Sequence, residues 1–237
     1  MALILTIDSS TETASVALAL NGQVLSIVVN SNQKEHAAWL HAAIGQIVKD
    51  CGRSLSQLEA IAVTEGPGSY TGLRVGMATA KGLCYALGIP LIVETSLKIM
   101  CQAALRTIAL LHVPLPDFFC PMIDARRMEV FTGVYGNDLT EIHAPTALVL
   151  DEHSYSKTMS QGKACFLGNG SHKWKALCSD PGVMFININF NAGDLIEFAE
   201  KKFSIGAFAD LAYVEPLYVK EFYTSAENSS ASSFNKL

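Results

Sequence analysis

The chain has 237 residues, half of them hydrophobic and only 16% charged, with a formal charge of −5. That is ample material for a core, in one large domain or two small ones. The acidic balance argues against a free-standing nucleic-acid binder, because phosphate contacts need clustered lysine and arginine. A role with RNA therefore calls for a basic partner.

Residues 3–7 form a short apolar run that ends in the polar turn Asp8-Ser9-Ser10-Thr11. From Thr13 to Gln33 no residue carries a formal charge, a length that suggests a membrane span. Asn21-Gly22 sits in its middle, however, and this dipeptide flanked by strand-like runs is a hairpin signal. The stretch reads as two strands rather than a span. No basic segment precedes Leu3, so no signal peptide is expected. The six cysteines form no CxxC pair and read as buried free thiols in a reducing cytoplasm.

A helix is predicted over 36–50, closed by Cys51-Gly52. Its core stripe is Leu40, Ile44, Ile47 and Val48. Its other face carries Ala38, Ala42 and Gly45 beside Trp39, where charged residues are the norm. A strand over 59–63 then stops at a turn holding Gly66, Pro67 and Gly68. Glycine permits backbone angles that other residues resist, and proline fixes its own φ. Ser69 or Thr71 can cap the helix that follows, which runs to Gly88. Such a helix start can hold an anion. The turn has neither the Gly-Lys-Ser/Thr of a phosphate-binding P-loop nor the glycine spacing of a dinucleotide site.

The core stripe of this second helix is Leu73, Met77, Ala80, Cys84 and Leu87. The opposite face reads Val75, Thr79, Gly82 and Ala86, with Arg74, Lys81 and Tyr85 confined to one flank. A face so small and uncharged is either buried inside the domain or receives another helix. Two neighbouring helices with the same anomaly favour a docking surface.

A strand over 90–93 and a helix over 95–111 follow, and then the pattern restarts. Strands are predicted over 118–123, 129–135 and 142–150, the first two joined by Asp124-Ala125-Arg126-Arg127-Met128-Glu129. A short helix over 152–159 leads to a strand over 164–167 that ends at Gly168-Asn169-Gly170. Residues 192–203 read as helix and 207–217 as helix then loop. The repetition predicts two related α/β halves, 1–105 and 106–223, with a cleft between them. Residues 224–237 are rich in serine and asparagine and read as a disordered tail.

The segments Leu5-Thr6-Ile7-Asp8-Ser9-Ser10, Gly66-Pro67-Gly68-Ser69-Tyr70-Thr71-Gly72-Leu73-Arg74-Val75-Gly76 and Asp124-Ala125-Arg126-Arg127-Met128-Glu129-Val130 occur in that order. Together they resemble the TsaB (YeaZ) family of tRNA threonylcarbamoyladenosine biosynthesis, over nearly the whole chain before the tail. The resemblance implies an actin/Hsp70/sugar-kinase-like fold of two related α/β halves with mixed sheets. It implies a cytoplasmic, non-catalytic subunit that pairs with the catalytic protein TsaD through its first two helices and is joined by the ATPase TsaE. The complex forms N6-threonylcarbamoyladenosine next to the anticodon, so tRNA would be met only through the complex. No cofactor of its own is expected, since ATP and metal belong to the partners, and a homodimer is an alternative state of the free chain. The chain departs from the family where Gly168-Asn169-Gly170 replaces Gly-Asp-Gly and where Tyr218-Val219-Lys220 replaces Tyr-Leu-Arg.

Two enzymatic alternatives remain beside that reading. An ATP-dependent small-molecule kinase of the same fold would use Asp8, Ser9, the turn residues Gly66, Gly68, Ser69 and Thr71, and the Gly168-Asn169-Gly170 turn, here read as a vestigial nucleotide site. Phosphoryl transfer also needs positioned cations, and only His172-Lys173 lie near those turns in sequence. A metalloprotease would need histidines on one helix face, whereas His36 and His41 lie about 140° apart. Asp124, Arg126 and Arg127 are candidates to line the cleft, where either guanidinium could meet a carboxylate or phosphate. No catalytic or metal-binding residue is assigned.

Overall fold

The computed structural model describes residues 2–32 and 36–220. The expected tail over 224–237 lies outside the described residues. Two compact units divide the chain. The first comprises Met1–Ala103 with Asn189–Leu217, and the second Ala104–Ile188 with the described residues from Tyr218 onward.

In the first unit β1 (Leu3–Asp8), β2 (Ala14–Leu20) and β3 (Gln23–Asn30) form an antiparallel meander. After α1 (His36–Asp50) the chain adds β4 (Ala60–Gly66) parallel to β1, then α2 (Tyr70–Leu87), then β5 (Leu91–Thr95) parallel to β4. The sheet order is β3-β2-β1-β4-β5. Helix α3 (Ser96–Leu111) follows β5.

Every residue of β1 is buried, because both faces of the sheet are covered. Leu3, Leu5 and Ile7 point one way and pack with Leu40, Ile44 and Ile47 of α1 and Met77, Ala80 and Cys84 of α2. Ile4 points the other way, with Ala60, Ala62 and Ile92 against Leu195 and Ala199. Strands covered on both faces read as continuous apolar runs, which is why β1 and β4 show no alternation.

The cover on that second face comes from far along the chain. A 3-10 turn over Ala192–Leu195 leads into α6 (Ile196–Ser204). Its backbone is stitched to the sheet: Thr6 Oγ1 donates to the Ala192 carbonyl at 2.7 Å, and the Ala192 N–H donates to Ser15 Oγ at 2.8 Å. Assigning all of 106–223 to a second half is therefore corrected. Asn189–Leu217 completes the first unit, because the second face of its sheet needs an apolar lid. The helix expected after residue 207 is also corrected. Residues 207–217 form a turn braced by Asp210, which accepts the Ala212 N–H at 2.8 Å, and a bridge from Ala209 to Leu91.

The second unit repeats the topology. β6 (Phe118–Asp124), β7 (Glu129–Gly136) and β8 (Glu141–Val149) form the meander, and β9 (Ala164–Leu167) and β10 (Met184–Ile186) extend it in parallel. The order β10-β9-β6-β7-β8 matches the first sheet strand for strand. Short helices α4 (Ser156–Gln161) and α5 (Ser171–Lys175) flank β9. Trp174, Tyr155 and Phe166 form its aromatic centre, with ring centroids 5.0–5.8 Å apart. Tyr155 donates to Thr132 Oγ1 at 2.7 Å, which satisfies its buried hydroxyl. Among the described residues no helix is long and apolar enough to cross a membrane.

Candidate functional site

The glycine turn is built by close approach rather than by unusual backbone angles. Only Gly66, at φ 118°, is held where an L side chain is strained. Gly68, Gly72 and Gly76 recur every four residues on one face of α2 and its entry. A Cβ on any of them would collide with Ser9 or Ser10. The helix thus lies directly on the turn after β1. Ser69 N–H donates to the Ser10 carbonyl at 2.7 Å, Ser9 Oγ donates to the Gly72 carbonyl at 2.8 Å, and Ser69 Oγ caps the Gly72 N–H. Ser96 Oγ donates to the Pro67 carbonyl. Thr71, the other capping candidate, is exposed in the first turn.

Asp8 is sealed beneath this contact, 1% exposed. Its Oδ1 accepts the Ser10 hydroxyl at 2.7 Å and the Ser10 N–H at 3.3 Å. Its Oδ2 and the neighbouring Thr64 Oγ1 are both buried with no partner among the described residues. Burial pushes the carboxyl above its ordinary range. Ser10 and Thr64 oppose that shift only in part, Thr64 without hydrogen-bond geometry.

The other nucleotide-site candidates lie in the second unit. Gly168-Asn169-Gly170 packs on β6, with Asn169 Oδ1 accepting the Asp124 N–H at 2.9 Å and Gly170 N–H donating to the Met122 carbonyl at 3.0 Å. The nearly buried Lys173 ammonium donates to Asp124 Oδ1 and to the Glu129 carbonyl, each at 2.9 Å. Burial pushes the Asp124 carboxyl up, but Lys173 and the Arg126 N–H outweigh it and hold the group below its ordinary range. Arg126 and Arg127 are exposed at the β6–β7 turn, both at positive φ (69° and 48°), the backbone of a tight hairpin. Lys220 pairs with Glu129 at 2.6 Å.

The paired helices form a different kind of site. α1 and α2 pack side by side over the sheet. A groove of about 270 Å³ lies on them, lined by His41, Ile44, Gly45, Leu55, Ala78, Thr79, Gly82 and Leu83. Ala38, Ala42, Gly45, Gly82 and Ala86 are exposed, and Tyr85 is 84% exposed. A Cβ on Gly45 or Gly82 would meet nothing within 4 Å. Three residues expected on this face sit deeper than the helical wheel implies. Thr79 is 8% exposed, and Trp39 and Val75 pack against the core, because the two helices lean on each other and cover part of the stripe. The wheel also passed over Ala78, His41 and Leu83, and Leu55 comes from the 3-10 turn Leu55–Gln57 outside both helices. Ala78 was within reach, since it is the i+3 neighbour of Val75.

The cations of α2 are turned off this face. Lys81 donates to the Val214 carbonyl at 2.9 Å, and Arg74 lies 4.0 Å above the Tyr70 ring. Among the described residues no three His, Cys, Asp or Glu side chains gather in a way that could hold a metal ion. Cys84 and Cys165 are pushed up to about 12 by burial and so remain thiols.

Residues 23–200 match the family model of TsaD, tRNA N6-adenosine threonylcarbamoyltransferase. The chain is 30% identical over 224 residues to tRNA threonylcarbamoyladenosine biosynthesis protein TsaB of Escherichia coli (strain K12), covering 92% of this chain and 94% of that one. The chain belongs to the TsaB (YeaZ) family. The TsaB of Bacillus subtilis (strain 168) is 34% identical over 132 residues, 56% of this chain and 54% of that one. The solved structure of YeaZ from Pseudomonas aeruginosa superposes with a TM-score of 0.77 at 25% identity, covering 92% of this chain and all of that one. The present chain has the actin/Hsp70/sugar-kinase-like fold with two mixed sheets, and its family's role lies in threonylcarbamoyladenosine biosynthesis.

The glycines of this TsaB-family chain should answer substitution in opposite ways. Gly72→Ala is expected to destabilise by about 1–3 kcal/mol through collision with Ser9. Gly82→Ala is expected to stabilise by about 1 kcal/mol, since a helix-interior methyl there meets open space. Denaturant melts of both variants measure this.

Asp8 sets a pH dependence with a definite sign. Its folded-state pKa lies above the unfolded value of about 3.9, so the native state binds more protons. Its favourable contribution is complete below about pH 4 and is lost as pH rises toward the folded value. Asp8→Asn should remove that loss, leaving stability at neutral pH equal to or above that of the unsubstituted chain. A uniform destabilisation with the pH slope intact would show that Asp8 is not the titrating group.

Proposed function

We propose that the chain is the non-catalytic subunit of a threonylcarbamoyl-transferring complex, docking the TsaD-like catalytic protein through α1 and α2. A TsaE-like ATPase joins the pair, and tRNA, ATP and metal are handled by the partners or by the assembled complex. The groove between α1 and α2 carries this reading. Apart from His41 its lining is small or apolar, its glycines face open space, and Lys81 and Arg74 are engaged elsewhere.

The identity of the occupant has its own support. The TsaD model that matches residues 23–200 spans both helices, so a TsaD-like protein carries the counterpart of this pair. Like helices can then pack about a pseudo-two-fold axis, the usual geometry when related surfaces meet. Small residues let helix axes approach to about 8 Å. Tyr85 adds a large aromatic surface of roughly 150–250 Å² at the edge.

The non-catalytic part of the proposal is supported by two carboxylates, Asp8 of the kinase reading and the cleft candidate Asp124, neither of which is left free to act. Asp8 is sealed and turned onto Ser10, and Asp124 is neutralised by Lys173. The helix start at Ser69 spends its first donor on the Ser10 carbonyl.

Gly82→Glu and Ala42→Glu should each block docking, by bulk and by burying an unpaired charge at a cost of several kcal/mol. Both positions are exposed in the free chain, so circular dichroism and melting should show a folded monomer. Co-purification with the catalytic subunit should fall on the order of a hundredfold in affinity. Folded variants that bind at full strength would place the interface elsewhere. The isolated chain, with its charge of −5, should show no submicromolar tRNA binding in about 150 mM salt.

A further inference from the structure

The tip of the β6–β7 hairpin is built against its own backbone preference. Arg126 and Arg127 both lie in the left-handed region, at φ 69° and 48°. Glycine, asparagine and aspartate adopt that conformation most readily, and Asn-Gly or Asp-Gly is the favoured pair where two consecutive residues need it. The same chain uses that favoured pair at its β2–β3 turn, where Asn21 and Gly22 have φ 52° and 74°. At 126–127 it carries two arginines instead. A strained choice of this kind points to a role for the side chains beyond the fold.

The surroundings leave both guanidiniums as unbalanced charge. Asp124 Oδ1 accepts the Arg126 N–H at 2.6 Å, so the hairpin's own carboxylate fixes the tip through its backbone. The same oxygen accepts the Lys173 ammonium, and Glu129 Oε2 is held by Lys220 at 2.6 Å. Both acids of the hairpin are thus occupied. Among the described residues neither the Arg126 nor the Arg127 side chain has a partner. Two exposed positive charges therefore stand together in a chain whose net charge is −5.

Guanidinium matches phosphate oxygens bidentately. A single small anion at so exposed a tip would stay hydrated, whereas a phosphodiester strand gains at each contact by releasing counterions. The family's role in threonylcarbamoyladenosine biosynthesis makes tRNA the polyanion to consider.

We infer that Arg126 and Arg127 contact the phosphate backbone of tRNA. The inference rests on the proposed function, in that these contacts add to those of the assembled complex. Two contacts alone do not make a free-standing binder, so the isolated chain stays weak at physiological salt. The hairpin lies in the second unit and shares no residue with the α1–α2 groove. Docking and tRNA contact can therefore be measured separately.

The test combines Arg126→Asn with Arg127→Gly, which installs the favoured turn pair and removes both charges. Denaturant melts should show this variant at least as stable as the unsubstituted chain. A tRNA transcript titrated into the full chain at about 20 mM salt should shift the amide resonances of residues 124–129, and the variant should lose that response. In the assembled complex the variant should weaken tRNA binding on the order of tenfold, and lower the slope of log affinity against log salt by about 1.5–2. Arg126→Lys with Arg127→Lys should keep that slope. A variant that melts lower overturns the inference, because the arginines would then serve the turn. So do resonance shifts that persist in the variant, or that poly-glutamate produces as strongly as tRNA. The isolated-chain titration needs no partner, so failed co-purification of the unsubstituted chain with the catalytic subunit would count against the docking reading alone.

Discussion

The contact between the glycine face of α2 and the Ser9–Ser10 turn is what the first unit depends on. Three side chains are missing at intervals of one helical turn, and the gap is filled by backbone from the end of β1. Because the helix axis comes this close, Leu73, Met77, Ala80 and Cys84 can reach the sheet. α1 then has only one place to pack, beside α2 on the same sheet face. The groove, the exposed small residues and the displaced cations all follow from that placement. The same contact buries Asp8, whose Oδ2 has no partner among the described residues.

Much of this was legible in the residues. The Asn21-Gly22 hairpin, the bounds of α1, the glycine turn and the duplicated strand order each rest on local signals of period and turn chemistry. The two anomalous faces were also legible, because a helix with small residues where charges belong is visible on a wheel. The reason for the glycines was not. Sequence reasoning gives glycine a conformational role, yet at 68, 72 and 76 its role is proximity to residues about sixty positions earlier. No local pattern reports that distance.

The return of Asn189–Leu217 to the first unit escaped for a related reason. Ala192, Leu195, Ile196 and Ala199 form an ordinary amphipathic stripe, and nothing in a stripe says which sheet it will cover. The depth of Thr79 and Val75 was missed because a wheel treats a helix as isolated, while α1 and α2 shade each other. In the second unit Lys173 was visible near the Asn169 turn. Its reach to both Asp124 and the Glu129 carbonyl needed the fold.

The two units thus share a topology while differing in what they present. The first places on its surface a helix pair whose groove is lined mostly by small or apolar residues, and the second centres on an aromatic core with Asp124 and Glu129 paired to Lys173 and Lys220. Such a division is what the proposed docking role calls for. Hydrogen exchange of the chain with and without the proposed TsaD-like partner tests that claim most directly. Amides of residues 38–45 and 75–86 should gain protection on complex formation. Unchanged exchange in both helices, with new protection elsewhere, would contradict the account.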